Sequence, residues 1–277
     1  MDCVDRAVRY IKSLSQQHPW ALAFSGGKDS VVLDFLTKEA GIKVEKFYNN
    51  TTIDPPGTIG FVQKHGCTVV RGKYSFLDLV EKKGFPTMFR RFCCKDLKER
   101  YFADYVFMGI RRNESVKRAK CYSEMEDIYY YSKKVFTYRF FPMLNFTDDD
   151  IKEIVRLHSL EMHPHYYDDQ GRFCVERRLG CIGCPLQGDR GLSEFMEYPK
   201  LLKQVLRRGV LFHIRQKRSA TDAALNLVYN LYYSNHGYKK FEQTYKGMFP
   251  ADPWDKLEAD FGITLENTIK VLPDPKF

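Results

Sequence analysis

The sequence predicts an α/β fold: a doubly wound, mostly parallel sheet with helices on both faces, followed by a smaller helical C-terminal region. Three observations carry that reading. The first 110 residues alternate between strand-like apolar runs and helix-like segments. A glycine pair, Gly26 and Gly27, punctuates the chain between the first such run and a helix. A length of 277 residues with 44% hydrophobic content is enough for one large domain, or for a domain with an appendage.

The elements follow in chain order. Val4, Ala7, Val8, Ile11 and Leu14 share one face of a helix over about 2–16. Residues 20–24 form a strand, and the loop at 25–28 leads into a helix through Leu36. "KVEKFYNN" reads as a strand, "PPGTIGFVQKHG" as a helix with proline at its start, and "CTVVRG" as a strand. "SFLDLVEKK" and "CKDLKERYF" read as short helices, and "YVFMGI" as a buried strand. "IYYYSKKVFTYRFFPML" suggests a hairpin or an edge strand. "TDDDIKEIVRLHSL" is a helix with Thr147 as N-cap and acidic residues in its first turn. Residues 163–190 are loop-like. From about 191 the chain turns helical and basic, so the division expected is 1–190 and 191–277.

Net charge is +9, which favours an anionic partner: a nucleotide, a nucleic acid or an acidic protein. No 18-residue apolar run suggests a membrane span, and the N-terminus shows no signal-peptide pattern. A cytoplasmic location is expected.

"SGGKDS", Ser25 to Ser30, lies between a strand and a helix. Gly26 and Gly27 let the backbone turn tightly and bring its N–H groups against phosphate oxygens. The helix that follows points its positive end at the anion. Lys28 adds a mobile charge, Ser25 and Ser30 add hydroxyls, and Asp29 is suited to holding Mg²⁺ or to capping the helix. The spacing is not that of the G-x-x-x-x-G-K-[ST] phosphate loop. Ligands of open parallel sheets bind at the carboxyl ends of strands, so the loops after Phe24, Tyr48 and Ile110 are where a site is expected. "GIRRNESVKRA" follows the strand ending near Ile110 and carries Arg111, Arg112 and Arg118, whose planar forks suit oxyanions.

Eight cysteines are present. Cys93 and Cys94 are adjacent, and Cys181 and Cys184 form a Cys-x-x-Cys. Four thiolates of this kind suit zinc or an iron–sulfur cluster.

These residues resemble a known superfamily. "SGGKDS" is similar to the PP-loop of ATP pyrophosphatases and of phosphoadenosine-phosphosulfate (PAPS) reductase-like proteins, whose fold is Rossmann-like. The resemblance runs through "NNTTIDPPGTIGFV", with Asp54 where the family contacts the nucleoside. It continues in "GIRRNESVKRA", which resembles Gly-x-Arg-x-x-Glu-Ser-x-x-Arg. The pairing of Cys-Cys with a distant Cys-x-x-Cys resembles the [4Fe-4S] cluster site of adenylyl-sulfate (APS) reductases. That puts iron–sulfur first and structural zinc second, with Arg90, Arg91, Lys95, Arg177 and Arg178 as basic neighbours of a cluster.

Two features depart from the reductases. Their attacking cysteine lies on a C-terminal segment, whereas this sequence has no cysteine after Cys184. Cys121 and Cys174 are the thiols available to replace it. Reductases also often lack a lysine in the loop, and Lys28 suits the β- and γ-phosphates of ATP. The resemblance therefore implies an enzyme that cleaves ATP, releases pyrophosphate and couples this to sulfur transfer. Ser25, Gly26, Gly27, Lys28, Asp29, Ser30, Asp54, Gly109, Arg111 and Ser115 would bind nucleotide. Lys28, Asp29, Arg111, Glu114 and Arg118 would carry the chemistry, and Cys93, Cys94, Cys181 and Cys184 the metal. A sulfonucleotide reductase that releases sulfite from APS or PAPS is the alternative. A zinc-stapled, non-catalytic nucleic-acid-binding protein is the second. Partners implied are an adenine nucleotide, a nucleic-acid acceptor, a cysteine desulfurase or thioredoxin-like donor, and a second copy of the chain. The basic helix "YPKLLKQVLRRGVLFHIRQKR" and the aromatics of "NLVYNLYYSNHGYKKFEQTYKG" support the acceptor weakly.

Overall fold

A computed structural model describes residues 2–14, 18–86, 90–187, 194, 195 and 197–216. Residues 217–277, including the aromatic C-terminal stretch, lie outside the described residues. So do 15–17, 87–89 and 188–193. The described chain forms two compact units whose segments interleave. One holds the described residues up to Asn50, Asp54–Arg71 and Glu99–Gly180. The other holds Thr51–Ile53, Gly72–Lys98 and the described residues from Cys181 onward.

The first unit contains a six-stranded sheet in the order β3-β2-β1-β4-β6-β5. The strands are β1 (Trp20–Ala23), β2 (Val44–Asn50), β3 (Thr68–Arg71), β4 (Tyr105–Phe107), β5 (Glu126–Tyr130) and β6 (Phe136–Phe140). All pairs are parallel except β5 with β6. The expected hairpin is thus present, with β6 joined to the parallel sheet and β5 at the edge. Leu22 aligns with Lys46 on one side and with Phe107 on the other. From β1 the chain first builds outward through β2 and β3, then crosses to the other side of β1 to lay down β4. The strand order therefore reverses between β1 and β4. At such a reversal the connecting loops diverge and leave a crevice beyond the strand ends.

Burial explains the helix order. Helix α2 (Lys28–Glu39) buries Val31, Val32, Leu33 and Leu36, and also Lys28, Ser30, Asp34 and Thr37. A helix buried on most of its faces needs cover beyond the sheet. It is supplied by α1 (Asp2–Leu14), which turns Ala7 and Ile11 inward, and by α6 (Asp148–Leu157), which turns Ile151, Ile154 and Val155 inward. Thr147 caps α6 with a reciprocal Asp150 contact, as its sequence predicts. Helices α3 (Thr58–Lys64) and α5 (Val116–Cys121) complete the unit. The "CKDLKERYF" segment is not the predicted helix. It makes one π-helical turn over Cys94–Lys98, and the chain passes to the other unit at Glu99.

In the second unit, α4 (Phe76–Lys83) packs against α7 (Pro199–Arg215). Phe76, Leu79 and Val80 of α4 meet Leu202, Val205 and Leu206 of α7 in one core, with Leu97 and Ile182. Glu81 accepts ion pairs from Arg208 and Arg215, so these two cations of the basic helix are used within the fold.

Helix α4 begins with a capping box. The Asp78 N–H donates to Ser75 Oγ at 3.2 Å, and the Asp78 carboxylate accepts from the Ser75 N–H at 2.9 Å. Hydrogen bonds from the Ser75 hydroxyl and backbone hold the Asp78 carboxyl below its ordinary range. Its folded pKa is the lower one. The contribution is therefore complete above the unfolded value of about 3.9 and is lost as pH falls through it towards the folded value. Ser75→Ala is expected to cost about 1 kcal/mol near neutral pH and less in acid. Urea midpoints measured across this range check both.

Candidate phosphate loop and cysteine pocket

The loop after β1 starts the candidate site. Ser25 Oγ accepts from the Gly27 N–H at 3.3 Å, and the Ser30 hydroxyl donates to the Gly27 carbonyl at 2.7 Å. The N–H groups of Ser30 and Val31 also reach that carbonyl. Gly27 stands at the N-cap of α2 without a side-chain cap. The Lys28 N–H instead donates to the Tyr166 hydroxyl at 3.1 Å, and the helix still points its positive end at this loop.

The loop after β4 meets this entry directly. A Cβ on Gly109 would lie 3.0 Å from the backbone carbon and oxygen of Asp29, so only glycine lets the two loops approach this closely. Two residues on, Arg111 is 1% exposed. Its Nε donates to Asp29 Oδ1 at 2.7 Å, its Nη2 to Asp148 Oδ1 at 2.8 Å, and its Nη1 to the Phe146 carbonyl at 3.2 Å. Arg111 thus binds Asp29 together with the start of α6. In the ligand-free chain Arg111 is a buried brace. Arg112 is likewise spent, on the carbonyls of Tyr122 and Ser123 and on Asn145.

Lys28 is 4% exposed, with Nζ 3.6 Å from Asp29 Oδ2 and 5.9 Å from the Tyr166 ring centroid. Burial pulls its pKa down, while Asp29 pulls it up. Arg118 pairs with Glu114, and burial lowers its pKa as well. Ser115 accepts from the Arg118 N–H at 3.2 Å and caps α5. Arg178 donates to the Glu114 carbonyl at 2.8 Å. Lys28, Arg111, Arg118 and Arg178 outnumber Asp29, Asp148 and Glu114 by one charge. The excess is what an anion site needs.

Asp54 accepts a hydrogen bond from the Tyr48 hydroxyl. Two further residues join the loop. Arg178, which the resemblance puts beside a cluster, is an electrostatic neighbour of Lys28. Tyr166, from a three-residue turn at Pro164–Tyr166, places its hydroxyl 3.1 Å from the Lys28 N–H. His163 is buried, with Nε2 3.4 Å from the Thr58 hydroxyl.

In the second unit, Cys93, Cys94, Cys181 and Cys184 line one pocket with Thr51, Ile53, Phe76, Leu97 and Lys98. A hydrogen bond with Cys94, then burial, then the other thiols raise the Cys93 pKa. Cys181 Sγ lies 3.4 Å from the Thr51 hydroxyl. The Cys-x-x-Cys turn runs through Gly183, where a Cβ would fall 1.8 Å from the Phe195 ring. Among the described residues, no three His, Cys, Asp or Glu side chains gather round a point that would hold a single metal ion. The thiols ring a pocket instead. No described helix is long and apolar enough to cross a membrane.

Residues 19–187 match the family described as phosphoadenosine phosphosulfate reductase domain. An uncharacterized protein of Methanocaldococcus jannaschii is 29% identical over 202 residues, which cover 68% of this chain and 46% of that one. An uncharacterized protein of Escherichia phage 186 is 31% identical over 145 residues, 47% of this chain and 41% of that one. The chain spans less than half the length of these relatives. The crystal structure of PAPS reductase from Candida auris, a phosphate complex, aligns with a TM-score of 0.41 and 12% identity. The alignment covers 57% of this chain and 87% of that one, a likeness too low to bear on function.

Two substitutions test the loop. Gly109→Ala is expected to push Asp29 aside and cost about 1–3 kcal/mol, read by thermal unfolding. Lys28 has a folded pKa below its unfolded value, so its buried charge opposes folding at neutral pH, and the penalty fades as pH rises through the folded pKa. Lys28→Met is expected to keep or raise the melting temperature of the ligand-free protein.

Proposed function

The chain belongs to the phosphoadenosine phosphosulfate reductase domain family, and from that premise we propose that it is an adenine-nucleotide enzyme that cleaves ATP between its α- and β-phosphates and passes the activated adenylyl group towards sulfur transfer. One observation carries the choice of ATP. The loop holds a buried lysine that shares its nearest carboxylate, Asp29, with Arg111. An ammonium in that position calls for a further anion, and the pyrophosphate portion of ATP supplies it.

In this reading an acceptor oxygen attacks the α-phosphorus and the bond to the bridging oxygen breaks. The electron pair leaves on pyrophosphate. Lys28 and the start of α2 neutralise the leaving group. Arg118 and Arg178 face the charge that develops on the phosphoryl oxygens. Arg111 touches no substrate; it fixes Asp29 and, through it, the lysine. A sulfur nucleophile then displaces AMP from the adenylated acceptor. The same reading assigns Asp54 to the nucleoside, and Ser25 and Ser30 to phosphate oxygens.

The donor set of the cysteine pocket fits an iron–sulfur cluster, with Cys93, Cys94, Cys181 and Cys184 as the residues that would hold it. Such a cluster would supply electron-transfer or sulfur-carrying chemistry. A nucleic-acid acceptor, a desulfurase-type or thioredoxin-like donor, and a homo-oligomer are carried forward as parts of the same proposal.

The test is anaerobic purification, followed by parallel assays for pyrophosphate from ATP and for sulfite from APS and PAPS. The expected result is a brown protein, absorbing near about 400 nm, that releases pyrophosphate. Its absorbance should be lost in Cys93→Ser. Sulfite release would overturn the ATP reading in favour of a reductase, with Cys121 and Cys174 the thiols to test next. A colourless, zinc-containing protein with neither activity would overturn both.

A further inference from the structure

A phenol oxygen has one proton to donate and two lone pairs with which to accept. Tyr166 has committed both lone pairs to the backbone: the Lys28 N–H donates at 3.1 Å and the Leu179 N–H at 3.2 Å. The side chain is 2% exposed. Its proton has no acceptor among the described residues, and a buried donor left unmade is costly. The acceptor must therefore come from beyond the described residues.

What surrounds the oxygen decides what that acceptor is. The hydroxyl sits against the first residue of α2, a 12-residue helix whose positive end opens there. The ring lies beneath the Lys28 ammonium, and Arg178 is an electrostatic neighbour of both residues. The carboxylate that acts on both residues, Asp29, is held by Arg111 and Lys28. A neutral acceptor would leave this positive surround unanswered; an anion answers it. The two accepted N–H bonds also polarise the O–H and strengthen it as a donor. Burial raises the phenol pKa, so the proton stays in place through the physiological range.

We infer that Tyr166 is a direct ligand of the bound anion, its hydroxyl donating to a phosphate oxygen at the mouth of α2. The inference rests on the proposed function for the identity of the nucleotide, but not for the presence of an anion. One hydroxyl then links three things: the start of α2, the backbone at Leu179 and the ligand. A bound phosphate oxygen takes the one hydrogen bond of this hydroxyl that the described residues leave open.

The test compares wild type with Tyr166→Phe, titrating ATP, inorganic pyrophosphate, inorganic phosphate and adenosine by calorimetry. The expected result is a loss of about 10- to 100-fold in affinity for ATP and pyrophosphate, the range for a hydrogen bond to a charged group. Adenosine, which has no phosphate, should bind the two proteins alike. Equal affinity of both proteins for ATP would overturn the inference and leave the proposed function standing. Tyr166-dependent binding of pyrophosphate or phosphate, with no binding of ATP or adenosine, would sustain the inference while removing the adenine-nucleotide reading. No binding of any probe to wild type would overturn both. A parallel loss of adenosine binding would show a collapsed loop and also count against a direct contact. Because Tyr166→Phe strips an acceptor from two backbone N–H groups, a second measurement uses 3-fluorotyrosine at position 166 in an otherwise intact chain. Its fluorine resonance should shift on saturation with pyrophosphate, and an unmoved resonance would overturn the inference.

Discussion

The contact between Arg111 and Asp29 is the constraint on which the rest of the phosphate loop depends. Each belongs to a different arm of the sheet reversal: Asp29 to the helix after β1, Arg111 to the loop after β4. A guanidinium that is almost wholly desolvated is expensive to bury, and the cost is offset only if its hydrogen bonds are made. Asp29, Asp148 and the Phe146 carbonyl make them. The orientation of Lys28 follows, because its ammonium is drawn to the second oxygen of the same carboxylate. The approach of Gly109 to the Asp29 backbone follows too, since a bulkier residue would hold the pair apart. An ion pair buried in this way adds little net stability, but it gives the two loops one fixed alignment.

How much of this was legible in the sequence depends on the range of each interaction. The βα alternation and the "SGGKDS" turn are local signals, and both appear in the observed sheet. The capping of α6 by Thr147 is local as well. Roles that depend on distant partners were not legible. Arg111 reads as a phosphate ligand in its own segment; only Asp29 and Asp148, 82 and 37 residues away, make it a brace. Asp148 reads as an ordinary acidic residue in a first helical turn. Tyr166 gives no signal, because its loop has no periodicity and its contact with Lys28 spans 138 residues. The "CKDLKERYF" segment has helix-forming composition. Tertiary context overrides that composition, because the chain must leave one unit for the other just after Lys98.

The cysteine pocket shows the same limit from another direction. Spacing alone brought the four thiols into one hypothesis, and they do line one pocket. Spacing did not reveal what holds that pocket. Thr51–Ile53, a three-residue excursion from the strand edge of the first unit's sequence, supplies a hydroxyl beside Cys181, and the Ile53 carbonyl accepts from the Ile182 N–H. The glycine inside the Cys-x-x-Cys turn is set by the ring of Phe195 rather than by the thiols.

The interleaving of the two units also has a temporal side. Cys94 and Cys181 are 87 residues apart, and β4, β5, β6 and α6 are all encoded between them. At a synthesis rate of about 5–20 residues per second, the first thiol pair leaves the ribosome about 4–17 s before the second exists. For that interval Cys93 and Cys94 wait for the other half of the pocket. The pocket can therefore close only after most of the sheet has been made, a constraint of the chain's topology that is separate from anything the finished pocket does.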